Sequence, residues 1–195
     1  TLLLFASLTA LSAQAQTDVT AQYIDNPDFA ARFAGWDNSG MSFNTTTGSF
    51  AGSSGEVWME KWVSRGQKVG SGYGIQQRIV GLEPGTYTLT VRAQNIQQGS
   101  DATVVQTGAY IFAADQQTEV YNANDYTVRF TLLTGETTIG FRTESATGNW
   151  VCVDNFRLTY EGNIASETQA EVDRMIAEAE ALLAPDGNEA AALQQ

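Results

Sequence analysis

From about residue 20 to residue 160, apolar and polar positions alternate with a period of two, in short runs separated by Gly, Asn, Asp and Ser. Antiparallel strands and their turns are written this way. In "EPGTYTLTVRAQ", Glu83-Pro84-Gly85-Thr86 suits a type II turn, with Pro presetting one corner and Gly supplying a positive φ at the next. Beyond it Tyr87, Leu89, Val91 and Ala93 fall on one face, and Thr88, Thr90, Arg92 and Gln94 on the other. "YTVRFTLL" repeats the pattern with Tyr126, Val128, Phe130 and Leu132 inward, and "TTIGFRT" with Ile139 and Phe141 inward and Arg142 outward. Further strands are predicted at 41–46, 56–62, 74–80, 108–113 and 150–160. About eight strands with one apolar face each can bury those faces only as two packed sheets or a closed barrel. Unequal strand lengths and irregular connections favour an all-β, antiparallel jelly-roll sandwich over a barrel.

Helical periodicity enters only after this stretch. "ASETQAEVDRMIAEAEALLAPDG" offers Ser166 as an N-cap with Gln169 three residues on, an apolar stripe through Val172, Met175, Ile176, Ala179, Leu182 and Leu183, and Pro185 with Gly187 as the stop. Residues 161–195 are therefore expected to form an acidic, amphipathic helical segment. It reads as the start of a further unit, with "NEAAALQQ" opening another helix, or as a helix packed back on the sandwich. At the other end "TLLLFASLTALSAQAQ" is apolar, too short to span a bilayer, and carries the small-x-small pattern Ala13-Gln14-Ala15. Residues 1–15 are expected to be part of a secretory signal peptide, 16–160 the folded module, and the protein secreted to the periplasm, cell surface or medium, with no membrane insertion.

Composition narrows the chemistry. The chain has no His and a single cysteine, Cys152, so Ser-His-Asp and Cys-His catalysis, His-containing zinc sites and an intramolecular disulfide are all excluded. Net charge is −12, with 14 acids against 9 bases in residues 16–160 and 8 against 1 in 161–195. No basic stripe is present, which disfavours nucleic acid and anionic lipid as partners. A glycosidase needs two carboxylates facing across a cleft, but Glu56 and Glu60, four apart on one strand face, lie about 13 Å apart. "GQKVGSGYG" lacks the Lys-Ser/Thr ending of a phosphate-binding loop.

One residue resists the strand pattern. Asp154 sits in "WVCVDNFRL" between Val153 and Phe156, and a buried carboxylate without a partner costs several kcal/mol. It must be ionised against a cation, hydrogen-bonded, as when it caps a turn through backbone N–H groups with Asn155, or turned out to water by an irregularity in the strand. Sugar recognition pairs an aromatic platform with side chains that hydrogen-bond in the ring plane, and the chain has both. Trp58 and Trp62 share a strand face with Glu56 and Glu60. Tyr73 lies in a Gly-rich loop with Gln76 or Gln77 behind it, and Trp150 opens the last strand. Arg92, Arg129 and Arg142 face outward and would form a polar ladder if their strands were neighbours. The aromatics could equally fill the core.

"NPDF" (residues 26–29), Gly35-Trp36, "GLEPGTYTLTVRAQ" and the closing "WVCVDNFRLTY" together resemble the galactose-binding-like jelly-roll modules of secreted polysaccharide-degrading proteins, particularly those of gut Bacteroidetes. The resemblance covers about residues 20–160. It implies a non-catalytic carbohydrate-binding module, joined to a downstream domain, that contacts a polysaccharide or oligosaccharide through Trp58, Trp62, Tyr73, Gln77, Arg92 and Trp150. It also implies a structural calcium ion ligated by Asp28, Asp154 and carbonyls of residues 26–29. Two other readings stay open: a structural or adhesive spacer without a glycan site, and a jelly-roll glycosidase or lyase.

Overall fold

The computed structural model describes residues 16–54, 56–99 and 104–183, without the side chains of 164–170 and 181–183, so the expected signal peptide lies outside the described residues. Eleven strands and two helices follow in the order β1 (Thr17–Asp18), α1 (Thr20–Tyr23), β2 (Asp37–Ser39), β3 (Ser42–Asn44), β4 (Trp58–Trp62), β5 (Gly74–Val80), β6 (Gly85–Ile96), β7 (Ala109–Ala113), β8 (Gln116–Glu119), β9 (Asn124–Leu132), β10 (Glu136–Thr143), β11 (Trp150–Gly162) and α2 (Ile164–Leu183). They form two antiparallel sheets: sheet A in the order β3-β4-β11-β6-β9 with β1 on the far end of β11, and sheet B in the order β2-β5-β10-β7-β8. This is the jelly-roll sandwich that the alternation predicts. Tyr87, Leu89 and Val91 of β6, Val128 and Phe130 of β9, and Ile139 and Phe141 of β10 all meet in the inter-sheet core. Strands β1, β2 and β8 escape the pattern because they are exposed or half-buried throughout and have no apolar face to alternate.

Two sequence signals meet in space. Residues 24–36 run through turns in which Asn26, Phe29 and Arg32 take positive φ. Phe29, Trp36 and Phe156 form an aromatic cluster with ring centroids 4.5–5.9 Å apart, and the Phe156 N–H donates to the Pro27 carbonyl at 2.9 Å. The side chain of Gln77, only 5% exposed, clamps the same segment: Oε1 accepts from the Asp25 N–H at 2.9 Å, while Nε2 donates to the carbonyls of Asp25 at 3.0 Å and Gly35 at 2.8 Å.

Strand β11 carries a bulge. Asp154 pairs with Arg92 and Arg157 with Thr90, so Asn155 and Phe156 together face one residue of β6, and Asn155 takes φ +52°. The bulge lets Val153 and Phe156, three apart, both enter the core while Asp154 turns to the outer side. The type II turn expected at 83–86 does not form. Gly85 is the extended first residue of β6, and glycine is needed there because a Cβ would lie 2.4 Å from the Tyr160 ring. Helix α2 begins two residues before the expected cap, and its stripe residues Val172, Met175 and Ile176 are exposed.

Candidate functional site

The outer face of sheet A is largely occupied. After β3 the chain, described except at residue 55, folds back over it and buries Phe50 against Trp58, Trp150 and Cys152. The loop is fastened by Arg92, whose Nε donates to the Ala51 carbonyl at 2.8 Å and whose guanidinium lies where a Cβ on Gly52 would be. It is fastened again by Ser54, whose N–H and Oγ donate to Asp154 Oδ2 at 2.6 and 2.9 Å.

Four of the expected binding or metal residues therefore belong to this covering loop or hold it. Trp58 is fully buried and offers no platform. Trp150 is nearly buried, its Nε1 donating to Glu60 Oε2 at 2.7 Å, while Glu60 Oε1 accepts from Asn44 at 3.0 Å. Arg92 also pairs with Asp125, and Arg129 with Glu161, but Arg142 stands on sheet B, so the three arginines form no common ladder. Gln77 points inward at the 24–36 segment. Cys152 accepts from Gln94 Nε2 at 3.3 Å, and burial together with the nearby Glu60 charge pushes its thiol well up, leaving it inert.

Asp154, with none of its surface exposed, is hydrogen-bonded to donors of the covering loop and of the bulge. Besides Ser54 it accepts from the Asn155 N–H at 2.8 Å. Burial raises its pKa above the ordinary carboxylate value, the three donors hold it back, and the charge of Asp28 adds to the rise. Calcium takes six to eight oxygens. Here the Asp154 oxygens face N–H and O–H donors, the Pro27 carbonyl accepts from Phe156, the Asn26 carbonyl from Phe29 and Trp36, and Asp28 Oδ1 from the Ala30 N–H at 3.3 Å. Among the described residues no group of three or more His, Cys, Asp or Glu side chains could hold a metal ion. In this arrangement these oxygens are turned to protein donors.

Among the described residues, the outer face of sheet B carries no such cover. Two rows cross it in register: Asp37, Gln76, Gly140, Phe112 and Gln117, and beside it Ser39, Gly74, Arg142, Tyr110 and Glu119. Gly72 and Gly74 line a hollow of about 400 Å³ between β2, β5, β10 and β7. Phe112 lies over Gly140, and the Arg142 guanidinium sits 4.9 Å from the centroid of that ring. Arg142 is aimed by Glu144, which accepts from Nε at 2.7 Å, and by Gln117 on its other arm. Tyr73 closes one end. Its ring lies over Gly40, with Lys61 Nζ 4.3 Å from its centroid. The groove thus gathers aromatic surface, an oriented guanidinium, the Gln76 amide, the Asp37 carboxylate and the Ser39 hydroxyl. Of the six sugar contacts implied by the resemblance it contains Tyr73, and of the other candidates Gln76 and Arg142. Gln76, not Gln77, faces it, as the strand period allows, whereas Phe112 carried no signal because an aromatic in a strand reads as core. Trp62 stands apart on sheet A, half exposed.

No family model matches the chain, and no curated protein matches it. Solved structures share the fold. The carbohydrate-binding module TmCBM61, determined in complex with β-1,4-galactotriose, superposes with a TM-score of 0.51 at 20% identity, over 71% of this chain and 98% of that one. A cyclase from Fischerella sp. TAU superposes with a TM-score of 0.53 at 18% identity, over 76% and 99%. The class is thus an all-β jelly-roll sandwich, the fold these proteins have in common. Since one of these two is a binding module and the other an enzyme, the fold does not assign a function, and the groove must.

Proposed function

We propose that this protein is a non-catalytic glycan-binding module and that the groove on sheet B is its site. The observation that carries the reading is the convergence of Phe112, Tyr73, Arg142, Gln76 and Asp37 around a hollow lined by Gly72 and Gly74. Apolar ring faces are matched by Tyr73 and Phe112, and hydroxyls by Arg142, oriented by Glu144 and Gln117, together with Gln76 and Asp37. Asp37 is the single carboxylate among the groove's lining residues, so the hollow does not supply the pair that glycoside hydrolysis requires. The shared fold of a module solved with β-1,4-galactotriose supports a neutral oligosaccharide as the first ligand to try.

In this reading the module is exported and holds a downstream catalytic domain on its polymer, so that weak affinity suffices. Among the described residues no helix is long and apolar enough to cross a membrane. Asp28 and Asp154 act without a metal. The test is a glycan array on the full chain, followed by calorimetry with β-1,4-galactotriose on the wild type, Gln76→Ala and Arg142→Ala. Binding by the wild type that both variants lose, at unchanged melting temperature, supports the site. One observation favours the spacer reading: Phe112 is only 7% exposed beneath Arg142. That reading predicts a folded protein that binds nothing on the array.

A further inference from the structure

Trp62 lies on the other sheet, at the corner of its outer face that the covering loop leaves open. Its cross-strand neighbour is Trp150, whose own neighbour is Ile96, so an apolar row crosses β4, β11 and β6 and ends at Trp62. Of the chain's four tryptophans, Trp62 is 50% exposed, whereas Trp36, Trp58 and Trp150 are 7%, 0% and 8% exposed.

The exposed indole is also fixed. Its Nε1 donates to Gln98 Oε1 at 2.7 Å. Gln98 is in turn held through its backbone N–H, which donates to Asn149 Oδ1 at 2.7 Å, and Asn149 is fully buried, with Nδ2 donating to the Val63 carbonyl at 2.8 Å. A buried asparagine thus orients a glutamine that orients a half-exposed indole. With its polar edge tied down, the indole presents its face to water. The Arg65 guanidinium lies 3.6 Å from where a Cβ on Gly99 would be, next in sequence to Gln98, and Gln97 and Gln98 are half-buried.

We infer that Trp62 is a second, independent sugar platform, on which one pyranose ring of a neutral glycan stacks while Arg65 and the Gln97-Gln98 rim bond its hydroxyls. A locked indole loses little entropy on stacking, and a lone ring suits a single sugar better than a protein partner, which needs a far wider apolar patch. The inference rests on the protein being a glycan binder but not on the groove. It makes the module two-faced, with one site on each sheet.

Fluorescence separates the two sites, because the groove contains no tryptophan. The full chain, wild type and the variants Trp62→Ala, Trp62→Phe and Arg142→Ala, is titrated with β-1,4-linked galacto-, xylo- and gluco-hexaose. Acrylamide quenching reads Trp62, and amide NMR shifts of Gln76 and Arg142 read the groove. At least one hexaose should protect the wild type and Arg142→Ala alike from quenching. Read by the amide NMR shift of Gln98, since the fluorophore is removed, Trp62→Ala should weaken binding at this face by about three- to tenfold, with Trp62→Phe between it and the wild type. Unchanged quenching with all three hexaoses while the groove shifts overturns the platform and leaves the groove. No response in either overturns both. Protection that disappears in Arg142→Ala also overturns it, since the signal would then come from the groove.

Discussion

Gln76 and Gln77 are adjacent, chemically identical, and point to opposite sides of β5, so exchanging each for alanine separates a folding role from a binding role. Gln77→Ala removes three hydrogen bonds to the backbone of residues 25–35. The Asp25 carbonyl keeps the Trp36 indole as a donor at 3.0 Å, but the Asp25 N–H and the Gly35 carbonyl lose the partner that holds them. At a net 0.5–1.5 kcal/mol per bond, the loss is about 2–4 kcal/mol. A domain of this size melts about 2–4 °C lower per kcal/mol, so a fall of roughly 4–16 °C is expected by calorimetry or circular dichroism. The same segment carries Phe29 and Trp36 into the aromatic cluster, which argues for the upper half of that range. Gln76→Ala, on the exposed face, should move the midpoint by no more than about 1 °C. In glycan binding the order reverses. Gln76→Ala should lose affinity while Gln77→Ala, measured below its midpoint, keeps it. Equal melting temperatures for the two variants, or loss of binding only in Gln77→Ala, would refute the assignment of faces.

Trp58→Ala should cost about 3–5 kcal/mol, because a fully buried indole leaves a cavity that the loop around Phe50 cannot close. Trp58→Phe should cost much less, since the buried Nε1 it removes has no hydrogen-bond partner; equal losses in urea unfolding would show that the site does not pack as described. At the β11 bulge Asn155→Ala should cost about 1 kcal/mol, because at φ +52° alanine lacks the local side-chain hydrogen bonding that lets asparagine occupy the left-handed region, while Asn155→Gly, with no Cβ to strain there, should be nearly neutral, again by urea unfolding. The melting temperature of stripped protein should be the same in millimolar calcium and in EGTA; a chelator-sensitive midpoint would restore the calcium site at Asp28 and Asp154. Because burial raises the Asp154 pKa, the folded state keeps a proton that the unfolded chain releases. Relative to Asp154→Asn, wild-type stability should thus be greatest below pH 3.8 and decline as pH rises through the raised value. A stability difference flat in pH would contradict this.

Period-two alternation told which residues share a side of a strand but not what covers that side. Alternation places Trp58 and Trp62 on one face with Glu60, yet one tryptophan is buried and the other half exposed. The difference is made by Phe50 and Arg92 acting across the covering loop, contacts more than 40 residues from Arg92 that no local pattern encodes. Asp154 was recognisable as irregular because Val153 and Phe156 are three apart, and an extra residue is what a bulge requires. Its partner Ser54 lies 100 residues away in a Gly- and Ser-rich run that reads simply as loop. The groove was hidden for a different reason: its floor is made of glycines, whose contribution is space.

That space and the shape of the sheet have one cause. A Cβ on Gly140 would stand 2.4 Å from the Ile75 carbonyl and 2.9 Å from the Phe112 ring, and one on Gly74 would stand 2.5 Å from the Phe141 carbonyl. Neither glycine takes a positive φ, so what selects them is the close approach of β5 and β10, not turn geometry. Any larger residue would have to spread the two strands or lift Phe112 out from under Arg142. The hollow is therefore built into the strand packing. An alanine at either position disturbs stability and the groove together, whereas Gln76 and Arg142, whose side chains project from that floor, can be changed without touching the strands beneath.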